Sequence, residues 1–310
     1  MTSLTKPTAS APLKGRREHY DVKVVISAFI LIAPTIIGLC VLNVYPFFDT
    51  IRRSLYKTQG LGPEVYVGVQ NYVALFKDDM IRHATVNTLL YMLLTVPVGV
   101  MLSLIFASFL NSRIRGRDIY RGIYFLPMVV APAAVAMVWR WIFNTENGIL
   151  NLFLKLFGIQ GPSWLSDPKT ALLSCAIIGI WSSIGYDLVM ILAGLQSISR
   201  SYYEAAQIDG ASGIQSFWHI TIPMVSPTLF FVVLMRAMTS LKQFDTVYML
   251  IKSTNPAYKQ GTVLMTLFYR EGFEKFNKGY ASAIVLYTFV IIAIFTAIQF
   301  IAEKKLVHYE

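Results

Sequence analysis

Apolar residues run along this chain in six long, charge-poor blocks separated by polar stretches. The blocks cover residues 24–48, a span within 84–112, then 122–139, 171–195, 222–251 and 280–302. A helix needs about 20 apolar residues to cross the hydrocarbon core of a bilayer, so each block reads as one transmembrane helix. Arg121 and Arg140 bound the third block. The fourth contains Asp187, the fifth contains Arg236, Lys242 and Asp245, and the sixth is uncharged. The pattern predicts an all-α polytopic membrane protein with six transmembrane helices, both termini on one side. Trp139 and Trp141 close the third block and Trp164 follows in the next loop, the depth at which indole rings settle among head groups.

Composition agrees. The chain is 55% hydrophobic and only 14% charged, against about 25% charged in a soluble protein. Its net charge of +10 raises the question of nucleic acid. The basic residues gather at the ends of the apolar blocks, so anionic lipid head groups are the simpler partner and no nucleic acid is expected. Residues 1–23 are polar and basic and lack the apolar core of a cleaved signal peptide, which reads as a cytoplasmic tail. Residues 24–303 form the membrane domain and 304–310 a second tail. Lys and Arg tie at twelve on each side of the expected topology. Density breaks the tie: Arg113, Arg115, Arg117 and Arg121 crowd one short loop, which places that loop and both termini in the cytoplasm. Cys40 and Cys175 lie inside apolar blocks without CxxC spacing, and the four histidines are scattered without ligand spacing, so neither a disulfide nor a metal site is expected.

One polar insert stands out on the cytoplasmic side, at 196–222. It reads as a short helix over SRSYYEAAQID, capped by Ser199 or Ser201, with Glu204 in an early turn and Gly210 at the helix C′ position. A second helical piece carrying Phe217 and Trp218 leads into Pro223. Two readings fit: a helix lying on lipid, or a helix that docks into a groove on a partner. The residues carry a resemblance. Glu204-Ala205-Ala206, three residues, Gly210, nine residues, then Ile220-Thr221-Ile222-Pro223 resembles the EAA signature of ABC importer permeases, with Ile222 where Leu is usual. The stretches YVGVQNYVALFKDD, NTLLY, YRGIYFLPMVVAPAAVAMVWRWIFNTENGILN and QFDTVYML extend the likeness to the sugar-type, binding-protein-dependent branch that includes the maltose-importer permeases.

That resemblance implies a type I importer permease fold in the bacterial cytoplasmic (inner) membrane. It implies that Glu204 and Gly210, with Ala205, Ala206 and Asp209 around them, dock into an ATP-binding cassette subunit. It also implies a second permease subunit, usually a different chain, an extracytoplasmic solute-binding protein and a saccharide cargo. No cofactor is expected on this chain; ATP and Mg belong to the partner ATPase.

An ionised residue at mid-bilayer costs at least about 2.5–3.5 kcal/mol, so it normally faces a bundle interior or a watery cavity. At 100° per residue, Arg236, Thr239, Ser240 and Gln243 fall on one polar stripe of the fifth span, while Lys242 and Asp245 lie off it and can pair with each other. Ser182, Ser183 and Tyr186 share a broad face of the fourth span with Asp187 at its edge. Interhelical hydrogen bonding is one role for them. By resemblance to maltose-type permeases these seven positions, Ser182, Ser183, Tyr186, Arg236, Thr239, Ser240 and Gln243, match those that hold the sugar. Arg236 suits an acidic saccharide, because guanidinium binds carboxylate bidentately; a structural pair with Asp187 is the equal alternative. A channel or secondary transporter also fits the intramembrane charges, but not the EAA insert, and no inverted repeat is visible. No nucleophile, histidine cluster or carboxylate pair points to an enzyme.

The chain holds no G-x-x-x-x-G-K-[ST] phosphate loop. The purified chain alone is therefore expected to hydrolyse no ATP above background in a phosphate-release assay; clear turnover by the isolated chain would defeat the permease reading.

Overall fold

A computed structural model describes residues 22–58, 62–112 and 115–306. Most of the expected N-terminal tail, Arg113 of the arginine-rich loop and the end of the C-terminal tail lie outside the described residues. The chain divides into two units between Asp49 and Thr50.

The first unit is helical: α1 (Val22–Leu39) passes through a π-helical turn (Cys40–Val44) into the start of α2 (Tyr45–Ser54). None of its described side chains is buried, and Leu31 is 79% exposed. A helix that is apolar on every side and buries nothing suits lipid or another protein surface.

The second unit opens with the end of α2 and a two-stranded antiparallel ribbon, β1 (Tyr56–Lys57) with β2 (Val65–Tyr66), in the register Tyr56 opposite Tyr66. Then come α3 (Gln70–Lys77) and α4 (Asp79–Asn111). Asp78 caps α4, its Oδ1 accepting from the Met80 N–H at 2.8 Å. Next are α5 (Arg117–Val129), α6 (Pro132–Ile142), α7 (Ile149–Leu156) and α8 (Ala171–Ser197). The chain continues with α9 (Arg200–Ile208), α10 (Gly213–Ser216), α11 (Ile222–Leu241) and α12 (Asp245–Leu250), and ends with α13 (Tyr258–Gly261), α14 (Leu264–Tyr269) and α15 (Lys278–Leu306).

Among the described residues, five helical stretches are long and apolar enough to cross a membrane, six if α5 and α6 count as one span. The third expected span is not one straight helix. It breaks by 99° between α5 and α6. Pro132 causes this: the residue before proline is excluded from the helical region, and Ala131 sits at φ −57°, ψ 134°. The fifth span also departs from expectation. It stops at Leu241 and restarts at Asp245, so Lys242 and Asp245 flank a break. Both are exposed, and no ion pair joins them among the described residues. The expected Lys242–Asp245 pair is thus not formed, because helical spacing does not carry across the break.

The core is built where α4, α8 and α11 pack together. Val96, Val100 and Ala107 of α4 meet Leu188, Ile191 and Leu192 of α8 and Val225, Val232 and Ala237 of α11. Small residues let the helices approach closely, as membrane bundles require: Gly185 of α8 lies against the Tyr124 backbone of α5. A second cluster joins α4 to α14 and α15 through Ile81, Ala84, Leu264, Tyr280 and Ile284. The connections opposite the α8–α11 insert are tied by amides. Asn87 of α4 donates to the Thr262 carbonyl at 2.8 Å and the Lys259 carbonyl at 3.0 Å, and Asn255 donates to the Leu165 carbonyl at 2.9 Å.

Asn87→Ala would leave two backbone carbonyls without their donor, at a cost of about 1–3 kcal/mol. Faster limited proteolysis within 252–262 is expected, with the rest of the digestion pattern unchanged; wild-type proteolysis of that loop would show the amide contributes nothing.

Candidate functional site

Two sets of polar residues invite function: the insert between α8 and α11, and the charged residues inside the spans. In the insert, Ser199 caps α9, its Oγ accepting the Ser201 N–H at 3.4 Å. Glu204 lies beyond the first turn. The far end closes as a Schellman motif. Gly210 stands at φ +80°, the Ala211 N–H reaches the Ala206 carbonyl at 2.8 Å, and the Gly210 N–H reaches the Gln207 carbonyl at 3.1 Å. Only glycine takes this left-handed geometry freely. Ser212 and Gln215 then form a reciprocal capping box on α10. A π-helical turn (Phe217–Thr221) leads directly into α11, and the Tyr203 hydroxyl meets Thr221 Oγ1 at 2.9 Å, tying α9 to the base of α11.

Glu204, Ala205, Asp209 and Gly210 are all exposed, and Ala206 is half-buried. Around them three large apolar side chains stand open: Ile208 at 86%, Ile214 at 75% and Trp218 at 61% exposure. A Cβ on Gly210 would touch nothing in this chain. Behind α9 lies a cavity of about 810 Å³ lined by Asn111, Arg117, Gln196, Arg200 and Gln207, among others. An exposed, well-capped helix ringed by apolar side chains is the geometry of helix-in-groove docking.

Within the spans, Arg236 of α11 and Asp187 of α8 form a buried ion pair. Nη1 and Oδ2 are 3.2 Å apart, with both side chains about 95% buried. Arg236 Nη2 also points to the Gly179 carbonyl at 3.4 Å. Gly99 of α4 makes the room: a Cβ there would stand 2.7 Å from Arg236 Nη2. One turn along, Thr95 Oγ1 and Ser240 Oγ are 2.9 Å apart, and Tyr91 places its hydroxyl against Gly179. Tyr91, Thr95 and Gly99 recur every four residues on α4, as do Gly179, Ser183 and Asp187 on α8. The two stripes face each other across Arg236 and Ser240.

The expected stripe on α11 therefore divides. Arg236 and Ser240 turn inward between helices, whereas Thr239 is exposed and bonds back to the Met235 carbonyl at 2.9 Å. Gln243 lies past the end of α11, half-buried. On α8, Ser182 and Ser183 are half-buried and Ser183 bonds back to the Gly179 carbonyl at 2.8 Å, while Tyr186 is 38% exposed. The α4 partners Tyr91, Thr95 and Gly99 went unnoticed in the sequence; their four-residue spacing was the available signal.

Helical spans around a buried charged pair, with an exposed, capped loop at one face, are features a membrane transport subunit needs. The chain belongs to the family of binding-protein-dependent transport system inner membrane components, whose model matches residues 99–308. It is 32% identical over 286 residues to the sn-glycerol-3-phosphate transport system permease protein UgpA of Agrobacterium fabrum, covering 92% of this chain and 97% of that one. It is 30% identical over 271 residues to the trehalose/maltose transport system permease protein MalF of Thermococcus litoralis, covering 87% and 91%. Its fold matches a chain of a bacterial alginate ABC transporter solved in complex with alginate pentasaccharide-bound periplasmic protein. The TM-score there is 0.83 at 23% identity, covering 94% of this chain and 98% of that one.

Breaking the pair leaves one charge buried alone, at about 3–5 kcal/mol, while replacing both members is often tolerated. Arg236→Met and Asp187→Leu are each expected to lower the membrane yield of folded protein several-fold, and the double variant to restore it. Fluorescence-detected size-exclusion profiles read this out; equal yields from all three variants would deny the pair a structural role.

Proposed function

We propose that this chain is one permease subunit of an ATP-driven ABC importer whose cargo is a carbohydrate of oligosaccharide size, acidic ones included. The exposed α9 loop carries the reading. It presents Glu204, Ala205, Ala206, Asp209 and Gly210 on a helix capped at both ends, which a short turn joins to α10 and, through a π-helical turn, to α11. In this reading the loop lies in the cytoplasm with both termini and docks into a separate ATP-binding cassette subunit, which holds ATP and Mg. The present chain is non-catalytic and binds no cofactor of its own. A second permease subunit, usually a different chain, completes the path, and an extracytoplasmic solute-binding protein delivers the cargo. Residues 24–303 are the permease domain, with tails at 1–23 and 304–310.

The carbohydrate assignment draws support from the trehalose/maltose permease among the relatives. Tyr186, Thr239 and Gln243, which are exposed or half-buried, meet the cargo together with Ser182 and Ser183. Arg236 and Ser240 hold the helices behind them. Because Asp187 neutralises Arg236, preference for an acidic cargo does not come from a free guanidinium; the phosphate-bearing cargo named for UgpA is what keeps anionic cargo in the class.

Gly210→Trp forces a bulky side chain onto a left-handed position at the docking face. Intact membrane insertion is expected, with loss of the co-purifying ATPase or of stimulated ATP hydrolysis. Gly210→Asn, which tolerates that backbone, should fall between Gly210→Trp and wild type. Normal transport by Gly210→Trp would remove α9 as the docking element.

Orientation is checked separately, in a background lacking Cys40. A membrane-impermeant thiol reagent added outside should label Gln160→Cys and miss Arg115→Cys. The reverse pattern would put α9 on the wrong side for any ATPase.

A further inference from the structure

At the end of α11 remote from α9, four aromatic rings meet. Phe244, at the break, stacks on Tyr248 of α12 with centroids 5.0 Å apart and planes 22° from parallel. Both pack against Tyr269 of α14, at 5.0 and 4.8 Å. Tyr269 stacks in turn on Phe273 at 5.1 Å and 22°. These residues come from separate segments and are brought together only by the fold. A π-helical turn (Arg270–Glu274) carries Phe273 and Glu274; such turns insert one residue, re-aim the side chains that follow and concentrate at functional sites.

The cluster is neither core nor plain lipid-facing surface. Phe244, Tyr248 and Tyr269 are half-buried and Phe273 is 59% exposed. Glu274 is exposed on the same side, accepting from the Tyr248 hydroxyl at 3.0 Å. Beneath the rings Arg270 is 95% buried. It donates to the Ile251 carbonyl at 3.1 Å and lies 4.6 Å from the Tyr258 centroid and 5.8 Å from that of Tyr248. This cation fixes the floor of the cluster. A surface meant for acyl chains would not carry a carboxylate and two phenol hydroxyls, since each would lose its water. A saccharide offers the complement: apolar C–H faces that lie on rings, edged by hydroxyls that bond to phenols and carboxylates. The cluster also follows Gln243 directly in the chain, and α11 has 20 residues, which puts the rings roughly 30 Å from the coupling end.

We infer that Phe244, Tyr248, Tyr269 and Phe273 form a saccharide-stacking platform at the outer mouth of the path, where cargo is received before it reaches Gln243 and Thr239. The inference rests on the carbohydrate reading above. Tyr269, which touches the other three rings, is its centre; Glu274 and the phenols set the edge that reads sugar hydroxyls.

The test uses the complete importer in proteoliposomes with its solute-binding protein, and two probes, neutral maltopentaose and acidic alginate pentasaccharide. For whichever probe wild type imports, Tyr269→Leu is expected to lower import about tenfold, the scale of a lost aromatic contact. Tyr269→Phe, which keeps the ring, should stay within about twofold. Phe273→Cys, in a background lacking Cys40, should react with a water-soluble maleimide and be protected when loaded binding protein and ATP are added. Wild-type import by Tyr269→Leu would overturn the platform alone. Equal protection by empty binding protein would make the cluster a protein-docking face. No reaction of Phe273→Cys in the resting complex would make it a subunit contact; either result overturns the inference. Import of a non-saccharide solute in place of every sugar supplied would instead sink the carbohydrate reading, and the platform with it.

Discussion

Arg236 and Asp187 can occupy the interior of a membrane bundle only together. Either charge alone would face a desolvation cost that the surrounding apolar side chains cannot offset. Their pairing at 3.2 Å sets the rotation of α11 against α8. The lack of a side chain at Gly99, and the Tyr91 hydroxyl placed at Gly179, fit α4 around the same point. Once that junction is fixed, so is the face of α11 that carries Thr239. The outward residues owe their exposure to the inward ones.

From this junction α11 extends both ways. Toward the insert it continues through a π-helical turn into α10, with the Tyr203–Thr221 hydroxyl contact bracing α9 against it. α9 is thus joined to the bundle through helix and hydrogen bonds. Toward the other end α11 stops at Leu241, and the chain reverses through α12 and α14 to gather the rings around Tyr269. One helix, clamped in its C-terminal half at Arg236 and Ser240, joins the exposed α9 segment to the ring cluster.

The two interrupted spans follow one constraint. Irregular backbone at membrane depth is tolerated where protein or a watery cavity satisfies it. At the α5–α6 bend Pro132 has no N–H to satisfy, and the close contact of Gly185 with the Tyr124 backbone seats α5 on α8. At the α11–α12 break the Lys242 and Gln243 N–H groups return to the Thr239 and Ser240 carbonyls.

Much was legible along the chain. The length and apolarity of the blocks set the spans, since a helix must satisfy its own backbone in lipid. Ser199, one of two cap candidates beside Ser201, and Gly210 marked the ends of α9, because cap geometry depends on a few local side chains. Periodicity failed where a helix stopped: Lys242 and Asp245 were expected to pair at helical spacing, and the break separates them. It failed again on the α11 stripe, because an angle on a helical wheel does not say which neighbour stands there. The burial of Arg236 and Ser240 depends on Asp187, Gly99 and Thr95, residues 49 to 145 positions away in the sequence. The ring cluster is of the same kind, joining Phe244 to Tyr269 across a loop. The sequence by itself determined the helices, their caps and the polar insert between α8 and α11, which are local matters of hydrophobicity and backbone geometry. Only the tertiary structure decided which polar side chains are spent on each other and which stay exposed, since that depends on packing between segments remote in the chain.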